Sequence, residues 1–360
     1  MYKEAELKKI IEEIEPINSD IVAKAKEHTA QLVMPPRALG RLHDISERIC
    51  GIQNTLTPDV SKKSVIVFAG DHGVVEEGIS AFPQVVTLEM IRCFIKGGAG
   101  INAISRFVKA DVLVVDMGIV PDFVPANENE AQIFRNLKVA KGTNNLAKGP
   151  AMTREQAVEA ILKGYQVAKE AIDAGAKIIG TGDMGIGNTT PSSAIGCVLT
   201  KETAETMVGP GTGIDSEGIK KKVLAVKRGL EVNNPDPKDG IDILAKVGGF
   251  EIGGIAGCIL ACAHNKIPVM IDGVISTAGA LIAHTLNPLT AQYMFAGHRS
   301  EEPGHKIMLK YLGLNPILDL GMRLGEGTGG ALAMNIVDAA CHVFTEVMTF
   351  DQACVSEKEK

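Results

Sequence analysis

Apolar residues follow two alternating rhythms along the chain. Short unbroken runs at Ser64-Val-Ile-Val-Phe-Ala69, Asp111-Val-Leu-Val-Val-Asp116, Ala176-Lys-Ile-Ile-Gly180 and Ile267-Pro-Val-Met-Ile-Asp272 have the length and β-branched content of strands buried on both faces. Between them the apolar spacing becomes helical. It predicts helices over 84–107, Thr153 to Ala174, 191–206, 217–231, Glu251 to His264 and Ser276 to His284. Thr153 followed by Gln156 is a capping box for the second of these. Residues 1–30 give two helical patterns parted by Pro16-Ile-Asn-Ser19, with Ser19 or Asp20 as the second cap. The turn Met34-Pro-Pro-Arg-Ala-Leu-Gly-Arg41 interrupts, and a helix resumes from Leu42 to Cys50. Residues 121–150 are polar and Gly/Asn-rich, an excursion from the core. Pro316 to Leu320 reads as a buried connection, and a last helix starts near Gly330 with Leu332, Ile336, Ala340, Val343 and Val347 on one face. Ser356 to Lys360 reads as a frayed tail.

Strands alternating with helices, each strand running into a glycine-bearing loop, predict a three-layer α/β/α parallel sheet. Ligands in such sheets sit beyond the carboxyl ends of the strands, so the loops are expected to converge on one rim. The polar helical beginning reads as a satellite to that body.

Composition narrows the function classes. A chain of 360 residues with 45% hydrophobic content, few aromatics and no Trp suits a helix-covered sheet better than a surface that stacks nucleic-acid bases. Net charge is −6, which argues against a general nucleic-acid binder. The charged start reads as a helix rather than a signal peptide, and no apolar run reaches membrane-span length, so a soluble, cytoplasmic protein is expected. The cysteines at 50, 93, 197, 258, 262, 341 and 354 lack zinc-ligand spacings; Cys258 and Cys262 read as core residues of one apolar helix face. No metal and no cofactor is expected.

Several loops carry candidate chemistry. In Leu320-Gly-Met-Arg-Leu-Gly-Glu-Gly-Thr-Gly-Gly330, a single carboxylate, Glu326, stands between Gly325 and Gly327. Glycines permit positive φ and close approach, so this carboxylate is either presented to a ligand or solvated near the following helix end. Gly180, Gly182 and Gly185 satisfy G-x-G-x-x-G, but Gly187-Asn-Thr-Thr-Pro191 prolongs the loop past the point where a dinucleotide-binding helix begins. A loop that surrounds one phosphate at a helix start, with Thr190-Pro191 as cap and first helical position, fits better. Asp183 is ill placed beside a phosphate and better suited to ribose hydroxyls or a backbone amide. Gly209-Pro-Gly-Thr-Gly213 leads to Lys220-Lys-Lys222, one of which can reach back to an anion. Gly297-His-Arg-Ser-Glu-Glu-Pro-Gly-His305 invites a metal reading, yet His298 and His305 share neither a helix face nor a strand ladder. Asp71-His72 reads as a structural pair that anchors its loop.

Taken together, Gly70-Asp-His-Gly-Val-Val75, Gly182-Asp-Met-Gly-Ile-Gly-Asn-Thr-Thr-Pro191, His298-Arg-Ser-Glu-Glu-Pro-Gly-His305 and Leu320-Gly-Met-Arg-Leu-Gly-Glu-Gly-Thr-Gly329 resemble the nicotinate-nucleotide–dimethylbenzimidazole phosphoribosyltransferase (CobT) family from about Val33 to Val347. The resemblance implies transfer of phosphoribosyl from nicotinate mononucleotide to 5,6-dimethylbenzimidazole or a related lower-ligand base, in cobalamin nucleotide-loop assembly. It implies a Rossmann-like α/β body (61–330), a small helical domain from both termini (1–60 and 331–360), and a homodimer. Carried over by motif, Glu326 is the general base. Asp183, Gly185, Lys222 and Ser300 serve the nucleotide and its phosphate, and Ser80, Ala81, Phe82, Met90 and Leu324 the incoming base. Two departures stand out: Asp183 occupies a position where the family places Glu, and Arg37-Ala38 replaces Gly-Ser in the Pro-Pro turn. The rival readings are a nucleotide- or base-binding protein without turnover and an NAD-dependent oxidoreductase built on Gly180–Gly185.

Overall fold

In the computed structural model, which describes residues 2–211 and 213–356, the expected strands lie side by side in one parallel sheet. Among the described residues the strands are β1 (Lys63–Gly70), β2 (Ala110–Gly118), β3 (Phe134–Asn136), β4 (Ile178–Met184), β5 (Val269–Ile271) and β6 (Met294–Ala296). Their order is β3-β2-β1-β4-β5-β6, with every pairing parallel. The helices that precede or cross over between them are α1 (Tyr2–Glu12), α2 (Ser19–Ala30), α3 (Arg41–Gln53), α4 (Val86–Ile95), α5 (Gly100–Val108), α6 (Glu128–Ile133), α7 (Arg154–Asp173) and α8 (Thr189–Thr200). They continue with α9 (Ala204–Met207), α10 (Ser216–Asn233), α11 (Gly240–Val247), α12 (Phe250–His264), α13 (Val274–Leu286), α14 (Pro303–Tyr311), α15 (Thr328–Glu346) and α16 (Phe350–Ala353).

The chain builds outward from β1 to β3, then returns to place β4 on the other side of β1. The two halves therefore diverge between β1 and β4, and a crevice opens beyond the carboxyl ends of those strands. All of β1 is buried, as its unbroken apolar run requires. Helices α12 and α13 cover one face of the sheet, with α7 packed on α12, and α4, α5 and α15 cover the other. Helices α7 and α12 touch through their backbones: a Cβ on Gly257 would lie 1.8 Å from the Ile161 carbonyl oxygen, and one on Gly164 2.0 Å from that of Gly254. Helix α3 packs on α2 and α15. Leu32 pairs with Thr349, flanked by hydrogen bonds from Val33 N–H to Met348 O and from Phe350 N–H to Gln31 O, each 2.9 Å. No helix among the described residues is long and apolar enough to cross a membrane.

The fold corrects several expectations. Residues 121–150 contain α6 and the edge strand β3, and β6 adds a further strand at the opposite edge. The single helix expected over 84–107 is two, α4 and α5, parted at Lys96–Ala99. The helix expected over 191–206 divides into α8 and α9. The cap of α2 is Asn18, whose side chain accepts from Asp20 N–H and Ile21 N–H, rather than Ser19 or Asp20. The buried face of α15 runs through Ala333, Met334, Val337, Ala340, Cys341 and Phe344, while Ile336 is exposed. Leu320 is 61% exposed, so Pro316–Leu320 is not a buried connection throughout. Cys258 and Cys262 lie in the core of α12. The tail expected to fray lies, from residue 357 onward, outside the described residues.

The glycine seam yields a stability prediction. Gly257→Val forces side-chain atoms into the α7 backbone and is expected to destabilise the fold by about 1–3 kcal/mol or more. Gly149→Ala, at a site with nothing within 4 Å, is the matched control, expected within about 0.5 kcal/mol of wild type. Calorimetric melting of both variants reads the difference, and equal melting temperatures would contradict the seam.

Candidate active site

Three consecutive left-handed residues build the centre of the crevice: Gly325 at φ 83°, Glu326 at φ 61° and Gly327 at φ 91°. Glycine takes that conformation freely, whereas for a side-chain-bearing residue it carries a cost of about 1 kcal/mol or more. The chain holds Glu326 there through its neighbours. Asp272, directly after β5, accepts from Gly327 N–H (3.0 Å), Gly329 N–H (2.8 Å) and Gly330 N–H (2.9 Å). A carboxylate thus satisfies the orphan amides at the start of α15, where the helix dipole also favours it. Gly182 in β4 lies so near this loop that a Cβ would stand 2.4 Å from the Glu326 carbonyl oxygen.

The Glu326 side chain is 5% exposed and accepts, through Oε2, from Ile101 N–H (3.0 Å) in the first turn of α5. Burial pushes its carboxyl above the ordinary range, the Ile101 N–H pulls it back, and the negative charge of Asp272 pushes it up again. Asp183, at the end of β4, accepts from the Asn188 amide (2.9 Å) through Oδ2, while its Oδ1 has no partner. Burial first, then Asp272, raises the Asp183 carboxyl well above its usual range; Asn188 opposes, and Glu251 and Glu326 add to the rise. The crevice therefore holds two carboxyl groups that resist ionisation for the same leading reason, burial, with Asp272 adding to both.

A second group of residues flanks the start of α8. Lys222 on α10 is 2% exposed and donates to Thr189 Oγ1 (3.0 Å) and Gly209 O (3.2 Å). Burial lowers its pKa to about 8, against the attraction of Glu302. Glu302 accepts from Gly211 N–H (2.9 Å), and Ser300 Oγ accepts from Glu302 N–H (3.3 Å). Lys222 is the buried one of the three successive lysines. Pro191 is the third residue of α8, which begins at Thr189, so the expected Thr190 cap is displaced.

The histidines are committed to other groups. His305 Nδ1 accepts from Ser300 N–H (2.9 Å), which leaves Nε2–H to donate to Thr277 Oγ1 (3.0 Å). Burial, with His298 beside it, lowers the His305 pKa to about 3. His298 Nε2 lies 3.4 Å from Asp272 Oδ1. Among the described residues no group of three or more His, Cys, Asp or Glu side chains is placed to hold a metal ion. Asp71 and His72 anchor separate elements rather than each other. Asp71 Oδ2 accepts from Val120 N–H (2.8 Å), and His72 Nε2 meets Glu251 Oε1 at 2.8 Å. Burial acts to lower the His72 pKa, but Glu251 and Asp71 outweigh it and raise it. This pair underlies Gly185, where a Cβ would lie 2.3 Å from Gly70 O and 3.3 Å from His72 Nε2.

The resulting cleft, about 500 Å³, brings together Phe82, Asp183, Gly185, Ser300, Leu324 and Glu326 of the residues singled out in the sequence. Lys222 stands behind Thr189 and Gly211, which line it. Ser80, Ala81 and Met90 lie outside its lining. Sequence reasoning passed over Asn188, Thr189 and Arg323, which do line it, and Asp272, which supports it. A carboxylate immediately after a parallel strand was the available signal for Asp272. The dinucleotide reading loses its geometry, because β4 runs through Gly180 and Gly182 and α8 starts only at Thr189.

A family model described as phosphoribosyltransferase matches residues 14–355. The nicotinate-nucleotide–dimethylbenzimidazole phosphoribosyltransferase of Geobacter sulfurreducens is 49% identical over 351 residues, covering 98% of each chain. That of Desulfotalea psychrophila is 50% identical over 349 residues, covering 97% of this chain and 98% of the relative. The crystal structure of CobT from Thermus thermophilus superposes with a TM-score of 0.90 at 41% identity, covering 94% of this chain and 100% of that one. By sequence and by fold, over nearly its whole length, the chain belongs to the nicotinate-nucleotide–dimethylbenzimidazole phosphoribosyltransferase family.

Proposed function

We propose that this chain transfers the 5-phosphoribosyl group of nicotinate mononucleotide to 5,6-dimethylbenzimidazole or a related lower-ligand base. The products are α-ribazole 5′-phosphate and nicotinate. The observation that carries the reading is Glu326, a buried carboxylate fixed on a left-handed peptide at the crevice between β1 and β4. Its neighbours across the cleft are a lysine-backed helix start and an apolar lip.

The reaction breaks the bond between C1′ and the pyridine nitrogen and forms one between C1′ and an imidazole nitrogen. The pyridinium leaves as a neutral ring, positive charge builds on the ribose, and the imidazole N–H must surrender its proton. Nothing in this sequence of events needs covalent help from the protein; positioning and electrostatics suffice. Glu326 receives the proton, and its raised pKa suits it to a weakly acidic N–H better than an ordinary carboxylate. Asp183 faces the ribose, where its unpartnered Oδ1 is placed to meet a ribose hydroxyl. Lys222, Ser300 and the Gly185 backbone hold the phosphate at the α8 start. Phe82 and Leu324 grip the incoming aromatic base, with Ser80, Ala81 and Met90 next to that lip. A helical unit of residues 1–60 with 331–360, a catalytic unit of residues 61–330, and a homodimer belong to the same reading.

Glu326→Gln keeps the side chain's shape and removes the base, so turnover is expected to fall about a hundredfold or more while nucleotide binding persists. Steady-state assays separating α-ribazole phosphate from nicotinate check this; turnover near wild type refutes the role. In the wild-type enzyme the acid limb of kcat is expected above the ordinary glutamate range, because Glu326 must be ionised to act and its pKa is raised.

Lys222→Met is expected to raise the nucleotide KM by about tenfold or more, the size of one lost charge-assisted hydrogen bond, with little change in the base KM. The Lys222 ammonium is present below its pKa of about 8 and lost above it. The wild-type nucleotide KM is therefore expected to climb as pH passes that value, and the Met variant to show no such climb. A flat wild-type profile removes Lys222 from the phosphate subsite.

A further inference from the structure

Asp272 lies wholly buried and outside the cleft lining, yet it bonds the chain that follows Glu326. Its Oδ2 takes the amide that closes the Glu326 peptide, Gly327 N–H. Its Oδ1 takes Gly329 N–H and Gly330 N–H, and so fixes the first turn of α15. On the far side His298, itself a cleft-lining residue, brings Nε2 to 3.4 Å from Oδ1. An asparagine or serine has one acceptor oxygen and could cap the helix through only part of this set, whereas Asp272 uses both of its oxygens. The carboxylate therefore brings a buried negative charge directly behind the general base as well as a cap.

We propose that Asp272 is a positioning residue for the transfer reaction: it fixes the peptide that aims Glu326 and places a buried negative charge behind that carboxylate, without touching substrate. This inference rests on the phosphoribosyltransferase reading and deepens it. The charge acts on both cleft acids, raising Asp183 and Glu326 after burial has done so. Several groups face Glu326 and share in setting its ionisation. The Gly100 and Ile101 amides come from α5, Asp183 from β4 and Asp272 from the end of β5. His298, Glu302 and Arg323 line the same cleft. Of these, Asp272 alone also holds the backbone that follows the base, from Gly327 into the first turn of α15. His298, raised above its usual value by Asp272 although burial opposes it, offsets part of that charge when protonated.

The test is Asp272→Asn in the full-length chain, with kcat and KM followed across pH for nicotinate mononucleotide and dimethylbenzimidazole. The isosteric amide keeps an acceptor for α15 and loses the charge. Expected are a fall in kcat of about tenfold or more, the usual scale for a support residue behind a reacting group, and a nucleotide KM within about twofold of wild type, since ground-state contacts are untouched. The acid limb of kcat is expected to move to lower pH, because removing a negative neighbour makes Glu326 easier to ionise. A limb that stays where wild type has it, or a KM that rises while kcat holds, overturns the proposal. Should circular dichroism show the Asn variant unfolded, His298→Gln supplies the reading, since it leaves the three amide contacts intact and removes the cation that offsets Asp272. Its acid limb is expected at higher pH than wild type; an unmoved or lowered limb overturns the proposal. Wild-type protein that makes no α-ribazole phosphate removes the phosphoribosyltransferase reading and this inference with it. Transfer abolished by Glu326→Gln and untouched by Asp272→Asn removes this inference alone.

Discussion

A carboxylate at the end of a buried strand, bonded to three amides of a helix start, is the contact on which the site is built. Burying a charge is expensive unless it is fully hydrogen-bonded, and here the N-terminus of α15 supplies the donors that make burial tolerable. The same contact forces α15 to begin above β5. That in turn obliges the chain before it to pass over the end of β4 with its glycines in left-handed conformations. Glu326 sits where it does because the helix behind it has no other place to start.

Around that contact the site works mostly with backbone and few charges. Gly182, Gly185 and Gly100 bring main chain within reach of the cleft because side chains there would collide with Glu326, Gly70 or Leu324. Lys222 is buried behind Thr189, and the imidazoles of His72 and His298 face Glu251 and Asp272 rather than open solvent, while Arg323 is an exposed cation of the cleft lining. A crevice of this kind favours positive charge in its middle and negative charge at the helix start, which matches the polarity of a ribosyl cation carrying a 5′-phosphate.

Much of this was legible in the residues. The unbroken run at Ser64–Ala69 announced a central parallel strand, and the alternation of such runs with helical spacing announced the layers. The glycines framing Glu326 left it either presented to a ligand or solvated, and only the family motif chose between the two. Strands β3 and β6 escaped because Phe134-Arg-Asn136 and Met294-Phe-Ala296 are too short to display a period. By spacing alone Lys222 could not be told from Lys220 and Lys221, and only the family motif singled it out, since burial of one lysine is decided by the approach of α8 and not by the helix itself. His72 was paired by adjacency with Asp71, while its partner, Glu251, stands 179 residues away. Pairings of that kind exist only once the sheet is assembled.

The seam where α7 and α12 meet backbone to backbone has a mechanical meaning. Where backbone meets backbone at Gly164 and Gly257 the two helices have little room to slide, and Glu251 in the first turn of α12 is carried by this plate. That plate ties His72, and through it the floor under Gly185, to the unyielding side of the molecule. Whatever accommodation a bound aromatic pair demands falls to the other wall, where Phe82 and Leu324 line the cleft with much of their surface open to water. The molecule is an anvil on one side and a yielding jaw on the other.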